Sequence, residues 1–400
     1  MLTQNTPKTK GINPLAKDAG PVAKAIAGLA ALAIAMGIGR FAFTPILPMM
    51  LQDAGMSIAS GGLLASANYL GYLLGALSAM AIRVRPERAI RAGLLVIGIS
   101  TITMSLPLPF FAWLLLRLVA GVASAWVLIS VSAWCLESLA GYQRPFLNSM
   151  VFAGVGTGIA VAGLICIALA AAAVASSGAW TVLGLLAMAV TAAIWRFFNT
   201  SHPGAEANRR ASHGRYAWDA QSLRLVLCYG VFGFGYIIPA TFLPVMAKNA
   251  LHGSALFGWS WPLFGLAAAL STLAVAALVK RIGNRRLWMG SHFVMAAGVV
   301  LPVLWPNLLT IFAAALCVGG TFMVITLAAL QEAKRLAGSQ ATVLIAAMTS
   351  AFAGGQIIGP LTVSAGTGNS AFSLALVIAS AMLAASALLL KVKTTIERGK

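Results

Sequence analysis

Twelve separate apolar stretches, each about as long as a bilayer core is thick, fill nearly all of this 400-residue chain. A helix that crosses the hydrocarbon needs about 20 mostly apolar residues. The stretches lie near residues 23–50, 58–82, 89–108, 110–133, 146–175, 178–198, 221–247, 254–279, 287–305, 307–331, 340–365 and 369–391. With 60% hydrophobic and 9% charged residues, no part of the chain can build a solvated globular surface, and the expected fold class is an all-α integral membrane bundle of twelve transmembrane helices. Two stretches carry an arginine well inside, Arg40 in GIGRFAFTPILPMM and Arg117 in WLLLRLVAGVASAW. An arginine at the bilayer centre costs roughly 2.5–3.5 kcal/mol even on a lenient insertion scale, so both must face something other than lipid.

The formal charge of +19 would suit a nucleic-acid binder, but its placement argues against one. Of the 27 Lys and Arg, 24 fall in the tails and in alternate loops on one side, Lys248 alone falls on the other, and the last two are the embedded arginines. That division is the positive-inside signal and puts both termini in the cytoplasm, as expected of a multi-pass protein of a bacterial inner membrane. The polar N-terminal tail has no short apolar segment followed by a small-residue cleavage site, so the first span is expected to be retained. Cys135, Cys166, Cys228 and Cys317 lack CxxC spacing, and His202, His213, His252 and His292 form no metal or catalytic motif. No cofactor, metal or enzymatic activity is therefore expected, and without a nucleotide loop any pumping must draw on a gradient.

The one long polar interruption divides the chain into a tail (1–22), a six-helix bundle (23–198), a linker (199–220), a second six-helix bundle (221–391) and a tail (392–400). The halves repeat. Gly37, Gly39, Arg40, Leu47, Pro48 and Met50 correspond at a constant offset of 196 to Gly233, Gly235, Tyr236, Leu243, Pro244 and Met246. A register shifted by two sets RLVAGVASAW against ALCVGGTFMV, so that Gly121 meets Gly319 and Arg117 meets Ala315. Six plus six spans in parallel repeat is the plan of transporters whose site lies at the midplane between pseudo-symmetric halves.

On these residues the chain resembles the major facilitator superfamily over its full length, and GIGRFAFTPILPMM with ASANYLGYLLGAL looks like the YbfB/YjiJ branch of bacterial inner-membrane members. KRIGNRR is similar to the superfamily's basic loop motif, keeping Arg281, Gly283 and Arg285 with Lys280 in place of the usual aspartate, and Arg117 with Gly121 matches the RxxxG of the fourth span. Span five lacks the Gly-Pro signature of drug–proton antiporters. The resemblance implies that spans one and four line a central cavity, that spans two and eleven meet across the halves, and that spans five and eight do likewise. Gly71 with Gly75, Gly154 with Gly158, and Gly355 with Gly359 have GxxxG spacing on three of those spans, where close approach would let the halves rock. Pro45, Pro48, Pro239, Pro244 and Pro360 are expected to kink spans one, seven and eleven.

At ~1.5 Å per residue, the depths of Arg40 and Arg117 differ by only about 5 Å. Each has two readings. A guanidinium can tie helices together through backbone carbonyls, or it can present a planar, permanently charged fork to a carboxylate, phosphate or sulfonate. The eight acidic residues, Asp18, Asp53, Glu87, Glu137, Glu206, Asp219, Glu332 and Glu397, all fall in tails, loops or span ends, so the cavity should be electropositive, with no midplane carboxylate to relay protons. Asn68 and Tyr72 share a helix face, Tyr236 repeats the position of Arg40, and Gln356 sits in span eleven; these four join the two arginines as candidate substrate contacts. Trp126 and Trp134 fit packing, and Trp259 with Trp261 fit interface anchoring.

The expected function is secondary active or facilitative transport of a small organic anion by alternating access, by a monomer in a lipid bilayer. Efflux of amphipathic or apolar compounds is the alternative, and a non-transporting receptor or sensor is the alternative of another class. Reporter fusions test the topology: a fusion at Lys400 should read cytoplasmic and one beside Asp53 external, and an external C-terminus would overturn the twelve-span order.

Overall fold

A computed structural model describes residues 20–82, 84–139, 145–198, 217–250, 255–364 and 368–391. Residues 1–19 and 392–400 of the tails, linker residues 199–216, Arg144, His202, His213 and His252 lie outside the described residues, as does the side chain of Glu137. Among the described residues thirteen α-helices follow one another: α1 (Pro21–Leu32), α2 (Phe43–Asp53), α3 (Ile58–Ala81), α4 (Pro86–Thr103), α5 (Phe110–Leu139), α6 (Pro145–Ala171), α7 (Ser176–Ile194), α8 (Ala220–Ala250), α9 (Ser260–Ile282), α10 (Asn284–Leu304), α11 (Leu308–Ala337), α12 (Ala341–Ser364) and α13 (Gly368–Lys391). No strand occurs among the described residues. Counting α1 and α2 as one rod (Pro21–Asp53), ten segments are long and apolar enough to cross a membrane; α3 and α4 are the remaining two, and α4 carries Glu87, Arg88 and Arg91 in its first two turns.

The chain's polar ends are tied where lipid headgroups or water would otherwise be needed. Asp53, at the end of α2, accepts from the backbone N–H and the hydroxyl of Ser176 at 2.6 and 2.7 Å, placing a carboxylate on the N-terminus of α7. Asn307 and Thr310 form a reciprocal capping box at the start of α11. At the opposite end Gly283 takes φ +83° to close α9 and open α10, and Arg285 donates to the Leu390 carbonyl at 2.7 Å, holding the start of α10 against the end of α13. Arg281 is exposed beside it.

Between apolar helices in lipid there is little hydrophobic drive, so close backbone contact decides who packs with whom. A Cβ on Gly121 would stand 2.0 Å from the Asn68 carbonyl oxygen, and one on Gly319 would stand 2.3 Å from that of Phe264. Asn68 and Phe264 are 196 residues apart and Gly121 and Gly319 are 198 apart, so the α3–α5 crossing recurs as the α9–α11 crossing. The RxxxG glycine is thus a seat for the neighbouring backbone.

The GxxxG glycines face elsewhere than the resemblance implied. Gly71 and Gly75 pack on Leu118 and Val122 of α5, Gly154 and Gly158 on Leu29 and Ala33 of the first span, and Gly355 and Gly359 on Gly230, Phe234 and Ile237 of α8. All are contacts among helices of the same sequence half. Helices α3 and α12, and α6 and α9, do pack across the halves. There the near-touching backbones belong to Gly156 and Gly265, and Gly163 lies against Pro262. Trp261, expected at the interface, is instead fully buried against Phe264 (4.8 Å between centroids) and against Phe41 of the other sequence half (6.3 Å), while Trp259 is exposed. A tryptophan in the first turn of α9, turned toward Phe41, meets the inter-half seam and not lipid.

Substitution tests the seat. Gly121→Val should eliminate monodisperse protein in detergent, because the clashing atom is backbone, whereas Gly290→Ala, with nothing within 4 Å of the added carbon, should elute as the parent does.

Candidate functional site

The site is organised by a break in the first span. Backbone N–H groups of Gly39 and Phe41 reach back five residues to Ile34 and Met36, the chain loosens over Gly39–Ala42, and α2 restarts at Phe43. Pro45 contributes: it has no N–H for the carbonyl of Phe41, which Thr44 takes at 3.1 Å. The carbonyls of Gly39 and Arg40 are then available deep in the bundle, where an unpaired acceptor is costly.

Arg117 and Asn68 supply the donors. Arg117 donates to Arg40 O at 3.0 Å and more weakly to Gly39 O at 3.4 Å, and Asn68 Nδ2 donates to Gly39 O at 3.2 Å and to Arg117 O at 2.8 Å. The guanidinium of Arg117 lies over the rings of Phe43 and Trp180, 4.9 and 5.9 Å from their centroids. Arg117 and Asn68 are both buried and neither lines the cavity described next, so the structure uses them to hold the break.

Arg40 is placed differently. Its side chain leaves the loosened turn into the bundle, with its guanidinium carbon 3.9 Å from the centroid of Tyr72 and 5.3 Å from those of Phe41 and Tyr69. One terminal nitrogen donates to Gln356 Oε1 of α12, and Gln356 Nε2 donates to the Tyr236 hydroxyl of α8. Its Nε has no partner, and no ion pair reaches either arginine among the described residues. Tyr236, the repeat-related counterpart of Arg40, is stacked between Phe322 and Phe352 at 5.7 and 5.6 Å.

Arg40, Tyr72 and Tyr236 line a cavity of about 540 Å³, and Gln356 is buried behind them. Its remaining walls come from α5 and α11 beyond their midpoints and from α6, α8 and α12 before theirs: Ser132, Asn148, Phe152, Tyr229, Phe322, Thr326, Gln331, Lys334 and Phe352 among others. All lie from the level of Arg40 toward one end of the bundle, where Asn148, Gln331 and Lys334 are exposed. That is the end bearing Arg88, Arg281 and Arg335. None of the described lining residues is acidic. Glu332, next to Gln331, turns away and binds Arg335 at 2.7 Å.

Toward the other end the cavity is sealed by contacts between the sequence halves. Ser66 donates to Ile357 O at 3.0 Å, Tyr69 and Thr241 share a 2.9 Å hydrogen bond, Thr44 donates to Ala240 O at 2.7 Å, and Lys248 donates to Pro48 O at 3.2 Å. Tyr69, Tyr229, Thr326 and Lys334 were not singled out in the sequence. Tyr69 stands between Asn68 and Tyr72, and Lys334 reads there as one more loop charge.

Arg117→Met should lower thermal stability of the detergent-solubilised protein by about 1–3 kcal/mol, through carbonyls left unpaired. Arg40→Met, which frees no backbone group, should lower it less; the melting temperatures of the two variants decide.

Comparison with known proteins agrees with this architecture. A family model described as uncharacterised MFS-type transporter YbfB matches residues 32–391. No curated protein sequence matches the chain. Among solved structures, the crystal structure of the nucleoside transporter NupG aligns with a TM-score of 0.66 at 13% identity, covering 93% of this chain and 98% of that one. An aspartate-to-alanine mutant of the same transporter aligns at 0.67 and 15% identity, covering 92% and 99%.

Proposed function

We propose that this chain, which belongs to the family of uncharacterised MFS-type transporters represented by YbfB, moves a small organic anion across the bilayer by alternating access. Membership makes it a multi-pass membrane transporter. The observation that carries the anion is Arg40: a buried, permanently charged guanidinium at the closed end of a cavity with no acidic lining residue among those described, its Nε unpaired. A carboxylate, sulfonate or phosphate entering from the mouth meets Lys334 first and Arg40 last, between tyrosines that can hydrogen-bond its oxygens and rings that can cover an apolar body.

The same reading takes the chain as twelve spans in two six-helix halves (23–198 and 221–391), functioning as a monomer in a bacterial inner membrane. The positive-inside bias makes the mouth cytoplasmic, so the structure is read as inward-facing, with the Ser66, Tyr69, Thr44 and Lys248 contacts as the external gate. With no carboxylate among the described lining residues, this reading gives coupling to anion exchange, to facilitated movement, or to a proton carried on the substrate itself.

A second reading has a specific support. Tyr72, Tyr229, Tyr236, Phe322 and Phe352 make walls on which a planar base could stack, and the similar structures are of a transporter named for nucleosides. Export of an amphipathic or apolar compound would use the same rings without Arg40.

Thermal stabilisation of the purified protein by carboxylates, phosphates, sulfonates, nucleosides and apolar drugs separates these, since a ligand of the native state raises its stability by mass action. Anions should stabilise the parent. Arg40→Lys, which keeps the charge and loses the planar fork, should weaken their affinity about tenfold or more, and Arg40→Ala should abolish it in folded protein. Near-normal affinity for the same anion in well-folded Arg40→Ala would remove the anion reading.

A further inference from the structure

The bridge from Arg40 through Gln356 to Tyr236 joins the sequence halves at a particular level. Above it lie the four hydrogen bonds of the seal; below it lies the open cavity. It is therefore the innermost rung of the closed gate, and its two ends, Arg40 from the first sequence half and Tyr236 from the second, both line the cavity. Gln356 follows from the same geometry. Its amide is fully buried, with oxygen on Arg40 and nitrogen on Tyr236, and its neighbour Ile357 supplies the carbonyl that Ser66 holds in the next rung.

We infer that Gln356 is the positioning residue that couples binding to opening: its amide oxygen occupies Arg40 while the site is empty, and an anion arriving from the cavity displaces it and unfastens the gate from below. The inference rests on the anion reading for the identity of the displacing group, but the latch itself does not. A neutral amide oxygen is a weaker acceptor for a guanidinium than a carboxylate, which is what a replaceable partner requires. Tyr236 then loses its link to the first half at the same step, because Gln356 moves with α12. Gln356 would thus compete with the substrate for Arg40, and removing it should not weaken anion binding.

The test reads the gate directly. With the four native cysteines replaced by alanine, Thr44→Cys places a thiol in the seal, where Thr44 is 2% exposed, and Ser132→Cys places one in the cavity. Labelling of each by an impermeant maleimide is followed in ligand-free, full-length protein in proteoliposomes. Gln356→Met, similar in size but unable to hydrogen-bond, should raise labelling at position 44 about tenfold, the shift that loss of one charge-assisted hydrogen bond gives to a sparsely populated open state. Labelling at position 132 should not rise with it, as it would if the bundle were merely loosened. Gln356→Glu, which gives Arg40 a carboxylate, should keep position 44 protected at or below the parent level. Tyr236→Phe should raise it less than Gln356→Met does, and decides the matter if that variant does not fold. Adding benzoate, an aromatic carboxylate, should raise labelling at position 44 in the parent and add little in Gln356→Met. Parent-like labelling at position 44 in folded Gln356→Met, or a parallel rise at both positions, overturns the latch. A raised ligand-free rate with no response of the parent to benzoate or the other anions leaves the latch standing and sinks the anion reading instead.

Discussion

Two carbonyl oxygens, those of Gly39 and Arg40, set the terms for the rest of this molecule. They are freed where the first span loosens, in a place with no water to satisfy them, and a broken helix survives at that depth only if protein donors reach it. Arg117 and Asn68 are those donors, and they arrive together because Gly121 lets α5 settle onto the backbone of α3 at Asn68. The RxxxG spacing puts the seat and the donor one turn apart on one helix. With the break held, Arg40 points into the bundle toward α12 and not along its own helix.

The same constraint accounts for the asymmetry between the sequence halves. The counterpart of the first span, α8, runs unbroken from Ala220 to Ala250 although it contains Pro239 and Pro244; Thr241 stands where Pro45 would. With no loosened turn, it needs no guanidinium from α11, and Ala315 stands where Arg117 would. Tyr236, at the position of Arg40, is held by aromatic stacking and by Gln356. One half thus carries the charge, and the other carries the rings and the amide that meet it.

Much of this was legible in the sequence. Apolar length pointed to the helical bundle, the 196-residue offset pointed to the recurring helix crossing, and the embedded arginines with the dispersed acids pointed to an electropositive cavity. What was not legible was the difference between the two arginines. Similar depth and the same chemistry made both candidate substrate contacts, Arg40 as the principal one and Arg117 as a second or positioning partner, and only the direction of each side chain separates a residue that mends backbone from one that lines a cavity. Helix rotation hid the glycines in the same way: GxxxG spacing states that a helix has a close neighbour but not which one, and the inter-half contact fell to Gly156, outside the pairs, and Gly265. Trp261 was misplaced because position near a helix end suits a membrane interface and an inter-helix seam equally.

The two kinds of contact also differ in what they allow. Within each sequence half, backbones touch at glycine along α3–α5, α9–α11, α8–α12 and the first span with α6, and such packing resists sliding because an added carbon at most of these glycines would strike a backbone carbonyl. Across the halves one such glycine contact occurs, at Gly156 and Gly265, and the seal itself is made of single hydrogen bonds, three of them from a side chain to a backbone carbonyl. Interhelical hydrogen bonds of this kind in membranes contribute about 0.6 kcal/mol on average. A few such bonds suffice to favour one state, and a ligand that competes for one of them can shift the balance without disturbing the bundles. The closed end of this protein is therefore weak by construction where Arg40 touches it, and rigid everywhere that Arg40 is aimed from.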